Sequence, residues 1–198
     1  MSIKTKTTVN RLGDLTATLQ SMHGRSVKVG ALQGEHAWLA GIHEHGADIK
    51  ATNAEYLTIP VHHEAYGRKA GSFKDLFCIK SKKGNLLLVK KDGDGIIPYY
   101  WLTKSVKIPE RAFLRRTVDE EGNRLMRQAE RAIKQVINKQ MDIDTFLDLV
   151  GEQYASAVKD KMRETTPNSP LTIAAKGSST PLEGKTHGLI NSITWEKD

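Results

Sequence analysis

Residues 41–46 read Gly-Ile-His-Glu-His-Gly, two imidazoles flanking a carboxylate, with His36 before them and His62 and His63 after. Histidine and glutamate at this density are the side chains of zinc chemistry. A zinc-protease helix places its histidines four apart, in H-E-x-x-H, so that both meet the metal and the glutamate serves as base. Here His43 and His45 are two apart and diverge on a helix. His36 and His43 are seven apart and share a face, but no third ligand accompanies them. Glu44, between the two histidines, is out of register for a general base. The stretch reads instead as the polar end of a short helix whose apolar side is Ala37, Leu39, Ala40 and Ile42. No metal site, cofactor or catalytic residue is expected of it.

The remaining chemical motifs fail in turn. Asp-Gly-Asp-Gly at 92–95 begins like a calcium loop, but the twelfth position, which needs a glutamate, is Thr103. Glu-Gly-Lys-Thr at 183–186 lacks the earlier glycine of a phosphate-binding loop. Asn-Ser-Pro at 168–170 is no glycosylation acceptor, and no nucleophile elbow occurs. Cys78 lies in an apolar run and is expected in the core. As the single cysteine it forms no internal disulfide, which suits a reducing compartment. The chain reads as a non-enzyme because it supplies no catalytic constellation.

The elements that must position these residues follow from periodicity. Val9, Leu12, Leu15, Leu19 and Met22 make a helical stripe that Gly24 ends. Strands are expected at 27–32, 56–61, 76–90, 97–103 and 189–195, the third being a hairpin turning at Gly84–Asn85. A helix after Pro109 carries Leu114, Val118, Leu125, Met126, Ala129, Ile133, Val136 and Ile137 on one apolar face. Pro109 is placed at its start, where a missing N–H costs nothing. A second helix over 144–164 has Asp142, Asp144 and Asp148 at its beginning and Lys159, Lys161 and Arg163 at its end, as the helix dipole favours. Residues 166–188 are a Pro/Gly/Ser/Thr-rich loop. The class is α+β, a mostly antiparallel β-sheet packed against a long helix pair, in one domain over 1–198, with the separated strands sharing one sheet.

Composition locates the charge. The 198 residues carry net +7, with 38% hydrophobic and 27% charged residues. Residues 68–107 hold ten Lys/Arg against Asp75, Asp92 and Asp94, so they supply the entire excess. The basic patch centres on Lys80, Lys82, Lys83, Lys90 and Lys91 and suits an acidic partner, protein or nucleic acid. No apolar run is long enough to cross a bilayer, and the opening Met-Ser-Ile-Lys-Thr-Lys-Thr-Thr-Val-Asn does not read as a secretory leader.

Three phrases, taken in order, resemble the tail-completion or neck proteins of tailed bacteriophages, also called virion morphogenesis proteins. GIHEHG at 41–46 is similar to that family's small phrase closing a helix, with His45 at an aromatic slot. IPERAFLR at 108–115 resembles its phrase opening the long helix, with Ala112 where the family often has proline. NSPLTIAAKGSSTPLEGKTHGLINSI at 168–193 resembles its closing tail. The resemblance implies a virion protein of the neck or tail, assembled in the bacterial host cytoplasm. It implies a ring, a hexamer by analogy, that completes the tail or joins it to the head around a DNA conduit. Its partners would be its own copies, neighbouring tail or head-connector proteins and DNA bound without sequence preference, and no membrane. Under this reading the opening histidines are structural. Phe113 and Leu114 pin the helix entrance to the sheet, and Arg111, Arg115 and Arg116 stay available for a neighbouring subunit or for the conduit. Gly188 permits a tight turn. Pro109, Asn168, Ser169, Leu171, Ile173 and Asn191 join Arg111, Phe113, Arg115, Arg116 and Gly188 as interface candidates. Residues 62–100 read as a basic β-hairpin insertion, and the loop at 166–188 as a segment that an adjacent subunit orders. The alternative function is a basic nucleic-acid-binding module over 68–107, with Tyr99, Tyr100 and Trp101 as stacking groups; the reading preferred for those aromatics is the sheet core.

Overall fold

The computed structural model describes residues 12–165, 167–168, 170–182 and 186–198. The class is α+β, as expected, with antiparallel strands and two long helices. Helix α1 (Leu12–Met22) ends before Gly24, whose φ of 78° only glycine adopts freely; Val9 lies outside the described residues. Strand β1 (Val27–Ala31) leads to α2 (Gly34–His45), which Gly46 closes at φ 71°.

Strands β2 (Ala47–Lys50) and β3 (Leu57–Pro60) then run outward, and β6 (Gly95–Thr103) and β7 (Ser105–Ile108) return beside them. Ala47 pairs with Ile108, and Leu57 with Thr103. Between these ladders the Ala51 N–H donates to the Lys104 carbonyl at 3.0 Å, so the two form one interrupted ribbon. Beyond it, β4 (Leu76–Lys80) and β5 (Leu86–Asp92) form the expected hairpin, and the sheet order is β3-β6-β5-β4. Residues 47–108 thus make an arm that leaves and re-enters the rest of the chain side by side.

The two faces of the arm differ. A β-bulge in β6 leaves Leu88 opposite Tyr100 but Val89 opposite Pro98. The extra residue, Tyr99, therefore turns to the same side as Tyr100. Both are buried with Ala65, beside Phe73, Leu88 and Ile97. Segment 62–75 lies over this side. The Tyr100 hydroxyl donates to the Arg68 carbonyl at 2.9 Å, the Tyr99 hydroxyl to Glu64 at 2.6 Å, and Arg68 stacks on the Phe73 ring at 4.2 Å. The opposite side carries Ile59, Phe77, Ile79, Leu87, Val89 and Trp101 by register.

The base is built on α3 (Phe113–Ile137) and α4 (Ile143–Arg163). Asp142 caps α4, its carboxylate accepting from the Thr145 N–H at 2.9 Å. The final strand, β8 (Ile193–Lys197), pairs with β1 and lies on α4. A β-carbon on Gly151 of α4 would stand 2.9 Å from the Trp195 Cβ, so glycine is what lets that indole close on the helix. Phe113, Val158, Met162, Leu182, Leu189, Ile190 and Ile193 form the central core.

Several expectations change. The strands do not share one sheet but divide into β1-β8, β2-β7 and the four-stranded arm, because β1 and β8 are held on α4 while residues 47–108 leave the base. The strand expected at 189–195 begins at Ile193, after a short helix α6 (Gly188–Asn191). The loop 166–188 contains α5 (Pro170–Lys176) and buries Leu182 in the core, so it supplies part of its own packing. Pro109 does not start α3, which begins at Phe113 after Ala112 in the left-handed region at φ 35°. A proline at 112 could not take that φ. Cys78 is exposed, because β4 is the edge strand and Cys78 falls outside the cluster beneath segment 62–75. No helix of the described residues is long and apolar enough to cross a membrane.

Candidate functional site

The helix entrance at α3 gathers the chemistry of the first two phrases. Glu44, at the end of α2, is 4% exposed. Its carboxylate accepts from the Leu114 N–H at 2.8 Å and the Arg115 N–H at 3.0 Å, two of the donors that a helix start leaves without partners. Negative charge is favoured there by the helix dipole as well. The Arg115 guanidinium reaches Glu44 Oε1 at 3.3 Å, the Glu44 carbonyl at 3.1 Å and Glu110. These partners, Glu44 first, raise the Arg115 pKa above its ordinary value. The Arg111 N–H donates to the His43 carbonyl at 2.8 Å, and its guanidinium meets His43 Nδ1 at 3.1 Å. Burial lowers the Arg111 pKa. Gly46 completes the joint, since a β-carbon there would stand 2.9 Å from the Glu110 nitrogen and the Ile108 oxygen.

The third phrase closes on the same helix. A β-carbon on Gly188 would stand 2.9 Å from His36 Cε1, while Leu189 and Ile190 share the core with Ala40 of α2. A β-carbon at 188 would thus ask the exposed His36 ring to shift; the left-handed residue of the turn is His187 at φ 51°. Phe113, fully buried among these side chains, anchors the helix entrance as expected and for the same reason offers no surface to a neighbouring subunit.

The other predicted residues disperse. The three arginines are engaged within the chain: Arg116 pairs with Glu120 at 3.0 Å, a contact that raises the arginine pKa. An open cleft of about 480 Å³ lies between Pro109, Arg111, Arg116 and Thr165. Asn168 donates to the Ser178 carbonyl at 3.0 Å and closes the segment around α5. Ile173 and Asn191 are exposed. Ser169 and the side chain of Leu171 lie outside the described residues. Lys80, Lys82, Lys83 and Lys91 are exposed on the arm, whereas Lys90 pairs with Asp75 at 2.8 Å. Of the proposed stacking trio, Tyr99 and Tyr100 are in the arm core and Trp101 is 38% exposed. Among the described residues, no three His, Cys, Asp or Glu side chains gather as metal ligands.

Sequence reasoning missed the role of Glu44. Read as the middle of a His-Glu-His triplet it looks chemical; read as the end of α2 facing a helix start, it is a cap supplied from 70 residues away. It also missed Lys161, buried between α3 and α4 with its ammonium 2.8 Å from both Glu120 and Glu164. Those carboxylates raise the Lys161 pKa, and Lys161 is the first cause lowering that of Glu120. Comparison with protein-family models, curated proteins and solved structures finds no match for the chain.

Proposed function

We propose that this chain is a structural subunit of a bacteriophage neck or tail, forming a ring that completes the tail or joins it to the head. What supports the reading is one observation: the three phrases behind the resemblance meet at α2. Glu44 and Gly46 meet residues 108–115, and His36 and Ala40 meet residues 188–190. Phrases that form one joint describe a single built unit. Its polar side chains are taken up in capping and pairing, which is the economy of a scaffold. The exposed lysines of the arm would face the DNA of the conduit or an acidic neighbour, with affinity set by charge. Light scattering and negative-stain electron microscopy of the purified chain test the proposal. The expected result is a closed ring with a central channel. A monodisperse 22.0 kDa monomer at all concentrations up to hundreds of micromolar would overturn it.

A further inference from the structure

Two surfaces of this chain keep large apolar side chains exposed among its described residues. The first is the open side of the arm. Phe77 is 43% and Trp101 38% exposed there, beside the half-buried Ile59, Ile79 and Leu87 and the buried Val89. The second lies on α3. Val118 and Met126 are each 60% exposed and, with Gly122 between them at four-residue spacing, make one ridge. Contiguous apolar surface of this kind marks an interaction site.

Their charged rims differ in sign. The open side of the arm is bordered by Lys91 on the same face, by Lys82 and Lys83 at the hairpin tip and by Lys104 at the end of β6, all exposed. The α3 ridge is bordered by Asp119 and Glu130, exposed and without ion pairs among the described residues. Arg115, at the ridge's start, is already held by Glu44 and Glu110.

We propose that the open arm face of one subunit seats on the Val118–Gly122–Met126 ridge of a second copy of this chain, an inference that rests on the ring reading above. Opposite rims steer the two patches together, whereas arm against arm would set lysine against lysine. The two patches are different surfaces of one chain, so the contact is heterologous and each subunit keeps one free patch of each kind. Such contacts run head to tail and close into a ring when the rotation allows.

Complementation tests this directly. Val118→Glu/Met126→Glu spoils the ridge, and Phe77→Glu/Trp101→Glu spoils the arm face; all four positions are exposed, and circular dichroism checks that both variants fold. Light scattering should find the wild type oligomeric and each variant alone at 22.0 kDa. Mixed in equal amounts, the variants retain one intact ridge and one intact arm face, and should form a dimer of twice that mass and nothing larger. Oligomeric variants, or a mixture that stays monomeric beside an oligomeric wild type, would overturn this contact and leave the ring standing. A monomeric wild type would overturn both, and would leave these patches to a different partner.

Discussion

Glu44 is the residue on which the base turns. Its carboxylate serves two backbone donors at a buried helix start, so its loss leaves both without acceptors. An unsatisfied buried polar group costs about 1–3 kcal/mol. Glu44→Ala should therefore lower the unfolding free energy by about 3 kcal/mol in urea titration, while Glu44→Gln, keeping one acceptor, should lose less. Lys161 makes the complementary case with a buried cation. Its contacts and those of Arg116 depress Glu120, so that carboxylate's contribution is full above the ordinary glutamate value of 4.5 and disappears as pH falls through the lowered value. Urea unfolding of wild type and Glu120→Gln should accordingly differ at pH 7 and converge once the solution is acid enough to protonate the depressed carboxylate. A gap that persists in acid would mean the side chain contributes by packing alone. At this scale the sequence was partly legible: Phe113 declared itself as an apolar residue at a helix entrance, but nothing local in His-Glu-His announces that its partner is a helix start far along the chain.

Elements were legible where periodicity ran long and obscure where it was short. The helix pair, the hairpin and β1 follow from repeated apolar spacing, and all are present. Strands β2 and β7 have four residues each and were not anticipated, since so short an alternation carries little signal. Periodicity also overstated the core of α3. It set Val118 and Met126 on the same apolar face as Leu125 and Val136, yet only the latter pair is buried. A hydrophobic stripe states which side chains prefer cover, not how wide the neighbouring element is. The contact of β8 with α4 offers a sharp test. Alanine at Gly151 improves helix propensity by up to about 1 kcal/mol, but its methyl would overlap the Trp195 side chain at its stem, where no rotation relieves it. Overpacking of this kind costs about 1–3 kcal/mol. Gly151→Ala should therefore show a net loss in thermal unfolding, and Trp195→Gly in the same background should remove the clash, so that Gly151→Ala then becomes neutral or favourable.

For the whole molecule, the charge ledger placed the basic excess on the arm, and the structure exposes most of it. What sequence could not convey was the division into three sheets, because pairing depends on which strands α4 gathers and which leave it. If the exposed lysines meet DNA, binding to a random-sequence duplex should weaken linearly in log affinity against log salt. Lys82→Glu/Lys83→Glu/Lys91→Glu should flatten that slope by about 0.9 for each lysine that contacts a phosphate. Affinity indifferent to both salt and reversal would remove DNA as the partner of the arm.

The meeting of Gly46 with residues 108–110 has a consequence for how such a chain can change. Everything from Ala47 to Ile108 enters and leaves through this single gateway, and the gateway is closed by backbone atoms that do not depend on what lies beyond. The entropy of closing an excursion rises only with the logarithm of its length, about 0.6 kcal/mol for each doubling. Extension by added ribbon pairs would bring its own hydrogen bonds and leave the Glu44 clasp untouched. Beyond the place where α5 meets His63–Ala65, reach is then a nearly free variable: the outer arm can be lengthened or recharged to suit a wider or narrower assembly while the helical base keeps the same blueprint.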